Sequence, residues 1–302
     1  MAVRVVVLGA GAIGSLLGGM LAESHDVVLV GRRAHVEAIR RNGLRISGAT
    51  RRKAKPRAVA DISGLKSPDL LLVTVKAYDT VKTIRGASDI IGPRTTVLSL
   101  QNGITTLGLL EECVPRGRLI GGWTSHGATL ERPGAIRHAG AGDTAIGELD
   151  GKPSARTEAL ARALTLTGIE TALSSDIRRE IWLKGLVNSA INPLTAIARC
   201  ENGEIASNAG LSRVARQVCE EGSAVARASG FTIGAGEALR LTLKVARQTS
   251  CNRSSMLRDV ERGRRTEIDY LNGAIAELAE SHDIAAPVNY ALASIMRVLS
   301  KH

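Results

Sequence analysis

Residues 180–193, EIWLKGLVNSAINP, carry polar side chains four positions apart in an otherwise apolar segment. In an α-helix a spacing of four drifts by only about 40° per step, so Lys184, Asn188 and Asn192 stand on one stripe. An ammonium group can donate a proton, and amides can hold hydroxyl or carboxylate groups. The stripe is either an exposed face with a Glu180–Lys184 pair, or the side of a buried helix that faces a polar element or a cleft.

The segment GAGAIG directly follows the apolar run VRVVVL (3–8) and precedes SLLGGMLAE. A strand, a glycine-rich turn and a helix in this order form the turn that holds a dinucleotide pyrophosphate, with the phosphates at the helix N-terminus. The context makes the motif more specific than its glycines alone. The predicted cofactor-binding residues of this turn are Gly9, Ala10, Gly11, Ala12, Ile13 and Gly14.

The next strand, DVVLV (26–30), ends in Gly31, Arg32 and Arg33. An NAD site usually has an acidic residue here to hold the ribose 2′-hydroxyl, whereas a guanidinium group suits a 2′-phosphate. The sequence therefore favours NADP, with Arg32 as the main contact. The alternative is that both arginines are solvated loop residues.

Two further predicted strands also end in polar residues, Lys76 after LLLVTV and Gln101-Asn102 after TTVLSL. Ligands of parallel sheets bind at the carboxyl ends of the strands, so these positions are expected to edge the same crevice. Each residue could instead simply begin a turn, and Asn102-Gly103 is a strong turn signal.

A nicotinamide coenzyme exchanges a hydride with carbon, and reduction of a carbonyl builds negative charge on its oxygen. A proton donor at that oxygen accelerates the reaction by about 10² to 10⁴. Lys184 is the best candidate for this donor in the helical half of the chain. Burial would lower its pKa, and a nearby carboxylate would raise it.

The composition limits the class of protein. No apolar run reaches the roughly 18 residues of a membrane span, and four widely spaced cysteines indicate neither a metal site nor a disulfide framework; a soluble, cytoplasmic protein without a metal is expected. The net charge of +11 fits either solvated basic faces or nucleic-acid binding. Because aromatic residues are only 2% of the chain, a base-stacking surface is poorly supplied, and no nucleic-acid partner is expected.

The pattern changes near residue 175. Before it, short apolar runs alternate with helical patterns, which predicts an α/β Rossmann-type domain over 1–175 with a parallel sheet; after it, a helical substrate-binding domain is predicted over 176–302. A hairpin is predicted over 43–61 and short strands over 127–149. The main predicted strands are 3–8, 26–30, 70–75, 95–100 and 118–124. The predicted helices of the second half are 177–192, 209–229, 234–248, 266–281 and 287–300.

Motifs along nearly the whole chain resemble the ketopantoate reductase family, also called 2-dehydropantoate 2-reductases. They are, in order, GAGAIG, VTVKA, LQNG, TSHGA, LKGLVNSAINPLTAI, CENGE and NRSSMLRDVERGRRTEIDYLNG. The resemblance implies a Rossmann domain followed by a helical domain. It also implies NADPH-dependent reduction of 2-dehydropantoate to pantoate, a step toward pantothenate and coenzyme A.

The same resemblance assigns roles to particular residues. Lys184 would donate the proton, and Glu267 would contact the cofactor ribose and hold the lysine. Asn102 and Ala128 would line the nicotinamide half of the cofactor, while Arg32 and Lys76 would lie on the 2′-phosphate side. The polar stripe would then be one wall of an active-site cleft between the domains. The implied substrate-binding residues are Lys184, Asn188, Asn192, Asn202, Asn252 and Ser255.

One geometric prediction follows from the last motif. Ser255 and Glu267 would be about 18 Å apart along a straight helix, too far to serve one small site. A break is therefore predicted near Gly263.

Two alternatives to ketopantoate reduction remain from the sequence. The first is a reductase of another small 2-oxo acid, and the second is a non-catalytic, NADP-responsive binding protein that uses the basic surface. A homodimer is a further option for the assembly.

Overall fold

The computed structural model describes residues 3–300. Residues 1–2 of the first predicted domain and residues 301–302 of the second lie outside the described residues. The chain divides into two compact units. The first comprises the residues up to Gln101 together with Thr106–Arg178. The second comprises the short segment Asn102–Thr105 together with the residues from Arg179 onward.

The first unit is built on an eight-stranded sheet in the order β12-β11-β8-β7-β6-β1-β2-β5. Neighbouring strands are parallel except for β8 and β11. The strands are β1 Arg4–Leu8, β2 Asp26–Val30, β3 Leu44–Gly48, β4 Arg52–Ala54, β5 Arg57–Val59, β6 Leu70–Val73, β7 Thr96–Ser99, β8 Leu119–Thr124, β9 Gly127–Arg132, β10 Ala135–Gly140, β11 Thr144–Glu148 and β12 Thr171–Leu173.

The five predicted main strands are confirmed as β1, β2, β6, β7 and β8, and all five run parallel. Their central residues are buried, as expected of strands covered on both faces. Because the strands are parallel, their carboxyl ends meet at one edge of the sheet. The order changes direction at β1, which has β2 on one side and β6 on the other, so the ligand crevice of this sheet type is expected there.

A second, four-stranded sheet has the order β4-β3-β10-β9. The predicted hairpin is confirmed by the antiparallel pair β3 and β4, although the end of that stretch, β5, joins the main sheet instead. The short strands predicted over 127–149 are confirmed as β9, β10 and β11.

Helices cover the sheet of the first unit, and α1 packs into the main core through Leu16, Leu17, Met20 and Leu21, each at most 2% exposed. The helices of this unit are α1 Ala12–Leu21, α2 Arg33–Asn42, α3 Thr80–Gly86, α4 Thr106–Glu111 and α5 Ala155–Leu166. Short 3-10 turns lie at Ala77–Asp79, Ser88–Ile90 and Arg116–Arg118.

The second unit is helical and has its own apolar core, centred on Leu186, Val187, Ala190 and Ile191. The helices are α6 Ile177–Ala198, which begins in the last residues of the first unit, α7 Glu204–Ser207, α8 Ala209–Ala228, α9 Ala235–Gln248, α10 Ser255–Glu261, α11 Asn272–Ser281 and α12 Pro287–Leu299, with a 3-10 turn at Ile268–Tyr270. None of the helices within residues 3–300 is long and apolar enough to span a membrane.

The prediction that the first long helix ends at residue 192 is wrong, because α6 continues through Pro193 to Ala198. Proline lacks an N–H, so it cannot bond the carbonyl of Ser189 four residues earlier. The Asn272 Nδ2 donates to that carbonyl at 3.1 Å instead. A side chain distant in sequence therefore compensates the helix bond that Pro193 removes.

The predicted helix 266–281 is wrong at its start, because α11 begins only at Asn272. The Tyr270 carbonyl accepts from the Ile104 backbone N–H at 2.9 Å rather than from the next helical turn. The predicted break near Gly263 is confirmed: α10 ends at Glu261, and Gly263 has a φ of +58°. Arg264 N–H then bonds the Asp259 carbonyl, which is a Schellman termination.

Candidate functional site

The glycine turn after β1 is closely packed against the end of β6. Gly9 has a φ of +103°, and a Cβ on it would lie 2.6 Å from the Val75 backbone nitrogen. A Cβ on Gly14 would lie 2.2 Å from the Gly9 carbonyl oxygen. Any other residue at Gly9 would therefore push the turn away from the backbone after β6, and any other residue at Gly14 would push α1 away from the turn.

The start of α1 suits a bound diphosphate. Gly11 is the N-cap and offers no side-chain oxygen to the first turn, so the opening N–H groups of the helix are not capped. Gly11 is exposed, and only the Gly9 carbonyl oxygen, at 3.9 Å, would lie near a Cβ there. Donors and open space at a helix N-terminus are what the phosphates of a dinucleotide require.

Thr74, which no motif singles out as a site residue, holds the turn in place. Its hydroxyl donates to the Gly9 carbonyl at 3.0 Å and to the Leu8 carbonyl at 3.2 Å. The residue lies within the quoted motif VTVKA, but only the bond across two strands identifies its task.

Arg32 and Lys76 each follow a strand of the main sheet. Arg32 comes after β2, is exposed and is the N-cap of α2. Arg33 is also exposed and pairs with Glu37 at 3.4 Å. Lys76 comes after β6, on the other side of β1, and is partly buried. The candidate 2′-phosphate contacts thus come from strands on both sides of the glycine turn.

The carboxyl ends of β7 and β8 carry further polar groups. Gln101, at the end of β7, donates to the Val75 carbonyl at 2.9 Å and to the Thr80 hydroxyl at 2.7 Å, which fixes this end to the β6 loop. After β8, the chain turns into β9, where the candidate residue Ala128 is partly exposed and lies opposite His138 of β10.

In the second unit, Lys184 is at the centre of a small polar cluster. Its Nζ donates to Asn102 Oδ1 at 2.7 Å, and the carboxylate of Glu267 acts on it electrostatically. Burial lowers the pKa of Lys184 to about 8, while Glu267 acts in the opposite direction. An ammonium group with such a pKa can both give up and regain a proton near neutral pH.

The segment Asn102–Thr105 is anchored beside this lysine. Ile104 belongs to the helical core and donates its backbone N–H to Tyr270. A Cβ on Gly185 would lie 2.5 Å from Ile104 Cγ1, so the glycine next to Lys184 leaves room for this contact. The sequence places Asn102 at the end of a strand, and the family resemblance places it beside the nicotinamide half of the cofactor. Neither predicts its bond to Lys184.

The other polar residues of the stripe differ in exposure. Asn188 is partly exposed, like Lys184, and Asn192 is 8% exposed. The Asn192 carbonyl accepts from the Thr195 hydroxyl and from the Ser254 hydroxyl. Ser254 caps α10 through a bond from Leu257 N–H, whereas Ser255 is exposed.

Asn202 and Asn252 are brought together by a backbone bond of 2.9 Å from Asn202 N–H to the Asn252 carbonyl. Asn202 is buried, and its Nδ2 donates to the Thr249 hydroxyl at 3.0 Å. Its Oδ1 is buried with no partner among the described residues. Asn202 can therefore accept a hydrogen bond from a ligand, while the Asn252 side chain is exposed. No group of three or more His, Cys, Asp or Glu residues within 3–300 could hold a metal ion.

Two family models match this chain. One, described as Ketopantoate reductase PanE/ApbA, covers residues 5–151, and the other, described as Ketopantoate reductase PanE/ApbA C terminal, covers 176–300. A 2-dehydropantoate 2-reductase from Pyrococcus horikoshii is 42% identical over 297 residues, which is 97% of this chain and 96% of that protein.

Solved structures agree over almost the full length. A PanE/ApbA family ketopantoate reductase from Ralstonia eutropha JMP134 has a TM-score of 0.90 at 32% identity, covering 98% of both chains. The ternary structure of D-mandelate dehydrogenase with NADH and anilino(oxo)acetate has a TM-score of 0.92 at 26% identity, again over 98% of both.

Proposed function

Because this chain belongs to the ketopantoate reductase PanE/ApbA family, we propose that it reduces 2-dehydropantoate to pantoate with NADPH. The observation that carries the activity is the 42% identity to a 2-dehydropantoate 2-reductase over 97% of the chain. The uncapped start of α1 and the exposed guanidinium of Arg32 support a dinucleotide with a 2′-phosphate.

NADPH, when bound, supplies the hydride that goes to the carbonyl carbon of the substrate. Lys184 gives its proton to the carbonyl oxygen, so that C=O becomes CH–OH and no charge is left on oxygen. Asn102 holds the ammonium through the 2.7 Å bond to its Oδ1, and Glu267 keeps the amine protonated in its partly apolar surroundings.

The substrate offers a carboxylate, a carbonyl and a hydroxyl to these residues. The buried Oδ1 of Asn202 accepts from the hydroxyl, and Asn188 and Asn192 on the lysine stripe donate to the oxygens. Asn252, in the loop before α10, and Ser255, the first residue of α10, are both exposed and contact the polar end of the substrate. In this proposal the coenzyme is bound by Gly9–Gly14, Arg32, Lys76, Asn102, Ala128 and Glu267.

The direct test is the loss of nicotinamide absorbance when purified protein, NADPH and 2-dehydropantoate are mixed. Lys184→Ala serves as the matched control, since it removes the proton donor and is expected to lower kcat by about 10² to 10⁴ with little change in NADPH affinity. No turnover by the native protein, or equal turnover by the variant, contradicts the proposal.

A second candidate is a reductase of a different 2-oxo acid. The likeness to D-mandelate dehydrogenase, at 26% identity, favours including aromatic 2-oxo acids. A comparison of kcat/KM over a panel of 2-oxo acids, with 2-dehydropantoate and phenylglyoxylate among them, separates the two candidates.

A further inference from the structure

Two buried histidines of the first unit are in contact: His126 follows the carboxyl end of β8, and His138 lies in β10. His126 Nδ1 and His138 Nε2 are 3.0 Å apart, and the other ring nitrogen of His138 lies 2.9 Å from the Thr50 hydroxyl. His126 is 7% exposed and His138 is 2% exposed. The three residues form a hydrogen-bonded chain from the β3–β4 turn to the end of β8.

One end of this chain has no partner. His126 Nε2 is buried and bonds nothing among the residues that the structure describes. The buried His35 of the same unit differs, because its two ring nitrogens are bonded to the Ser15 hydroxyl and to Gly134 N–H. Buried polar atoms without a hydrogen-bond partner are rare and cost free energy. The unpaired His126 Nε2 therefore indicates a hydrogen-bond partner that is supplied from outside the chain.

The place of His126 in the fold narrows the choice of that group. The strands β1, β6, β7 and β8 are parallel neighbours, so the residues after β8 lie at the same edge as the glycine turn after β1. Three strand spacings of about 4.8 Å separate β8 from β1 by about 14 Å. A dinucleotide whose diphosphate lies at the turn extends over this distance, with one half on the side of β6 to β8.

The direction of the hydrogen bonds among Thr50, His138 and His126 determines whether His126 Nε2 is a donor or an acceptor. If the Thr50 hydroxyl donates to His138, then His138 donates to His126 and the free Nε2 carries a proton. If Thr50 accepts, the order is reversed and Nε2 is an acceptor. A carboxamide satisfies either form, since it offers both an N–H and a carbonyl oxygen.

We propose that His126 Nε2 hydrogen-bonds the carboxamide of the bound nicotinamide ring, with His138 and Thr50 as positioning residues that hold the His126 imidazole. This inference rests on the coenzyme named in the proposed function. The bond fixes the rotation of the nicotinamide ring and therefore which face offers its hydride. Ala128, a candidate nicotinamide contact, lies two residues further along and opposite His138.

The first test uses the native protein and NMR of histidines labelled with ¹⁵N. Addition of NADP⁺ is expected to shift the Nε2 resonance of His126, because the nitrogen gains a partner. The same protein with 2′-phospho-ADP-ribose, which lacks the nicotinamide ring, is expected to leave that resonance unchanged. Equal shifts with both ligands, or no shift with bound NADP⁺, overturn the proposal.

The second test measures affinity without turnover, from NADPH fluorescence or calorimetry. His126→Ala is expected to weaken NADPH binding about tenfold and the binding of 2′-phospho-ADP-ribose by less than about twofold. His282→Ala, which removes an exposed histidine of the other unit, is the control and is expected to change neither. Equal losses for both ligands assign His126 to a ribose or to folding and overturn the proposal.

The two tests also separate this inference from the proposed function. If NADPH does not bind the native protein, the coenzyme of the proposed function is wrong and this inference falls with it. If NADPH binds the native protein and His126→Ala with the same affinity, only the inference about His126 is overturned.

Discussion

Lys184 must carry a proton to act as a donor, and its surroundings set the pH at which that proton is lost. Burial lowers its pKa to about 8, against the opposing effect of Glu267. We therefore expect kcat/KM for reduction to fall as the pH rises through about 8. Glu267→Gln removes the influence that raises the pKa, so this fall should move to lower pH. If kcat/KM does not fall through this pH range in the native protein or in Glu267→Gln, Lys184 is not the proton donor.

The two arginines after β2 allow a matched comparison of coenzyme selectivity. Arg32→Ala is expected to raise the Kd for NADPH by about 10- to 100-fold, since a charged hydrogen bond to the 2′-phosphate is lost, and to leave the Kd for NADH unchanged. Arg33→Ala is the control, because Arg33 is exposed and already pairs with Glu37. Equal losses for NADPH and NADH in Arg32→Ala would contradict the assignment.

At the scale of elements, Gly11 in the turn between β1 and α1 is expected to matter for coenzyme binding and not for folding. A Cβ on Gly11 meets only the Gly9 carbonyl oxygen, at 3.9 Å, so Gly11→Ala should fold with nearly the native Tm. The coenzyme phosphates need that space, and we expect its affinity to fall at least about tenfold.

Gly86→Ala, at the end of α3 with nothing within 4 Å of the added Cβ, is the control for Gly11→Ala. It should change neither the Tm nor the coenzyme affinity. Native affinity in Gly11→Ala, measured by calorimetry, would show that the phosphates do not approach this backbone.

The same elements show how far the sequence could be read. The five parallel strands and the glycine turn were predictable, because apolar runs and glycine spacing are local signals. The end of α6 was not, since Pro193 is a local stop signal that Asn272 compensates from 79 positions further along the chain. The start of α11 failed for the same kind of reason, because Ile104 takes the Tyr270 carbonyl.

The candidate site divides in a similar way. Lys184, Asn188 and Asn192 could be recognised from their spacing on one helix, and Gly263 from the distance between two motif residues. Thr74, the Lys184–Asn102 bond and the unpaired nitrogen of His126 depend on contacts between distant strands and loops. No periodicity in the sequence carries that information.

For the molecule as a whole, three buried histidines couple stability to pH. Burial lowers the pKa of His35, His126 and His138 below their usual value. For His126 the positive charge of the His138 imidazole adds to this effect, and Asp143 opposes it. The unfolded chain therefore binds more protons than the folded one at mildly acidic pH. Stability should be fully present above about pH 6.5 and decrease as the pH falls below it.

Chemical denaturation at a series of pH values tests this expectation. The free energy of unfolding should decline on the acidic side in the native protein and less steeply in His35→Gln, which cannot take up the proton. A free energy of unfolding that is constant or rises as the pH falls through this range would contradict it.

The helical unit includes four residues, Asn102–Thr105, that come more than 70 positions earlier in the sequence than the rest of the unit. Ile104 fills the hollow over Gly185, and Asn102 receives the bond from Lys184. A chimera of two homologous reductases joined once, near residue 176, would therefore combine a short segment from one parent with a helix from the other. A chimera that keeps the helical unit intact must therefore take residues 102–105 from the same parent as all residues after Arg178.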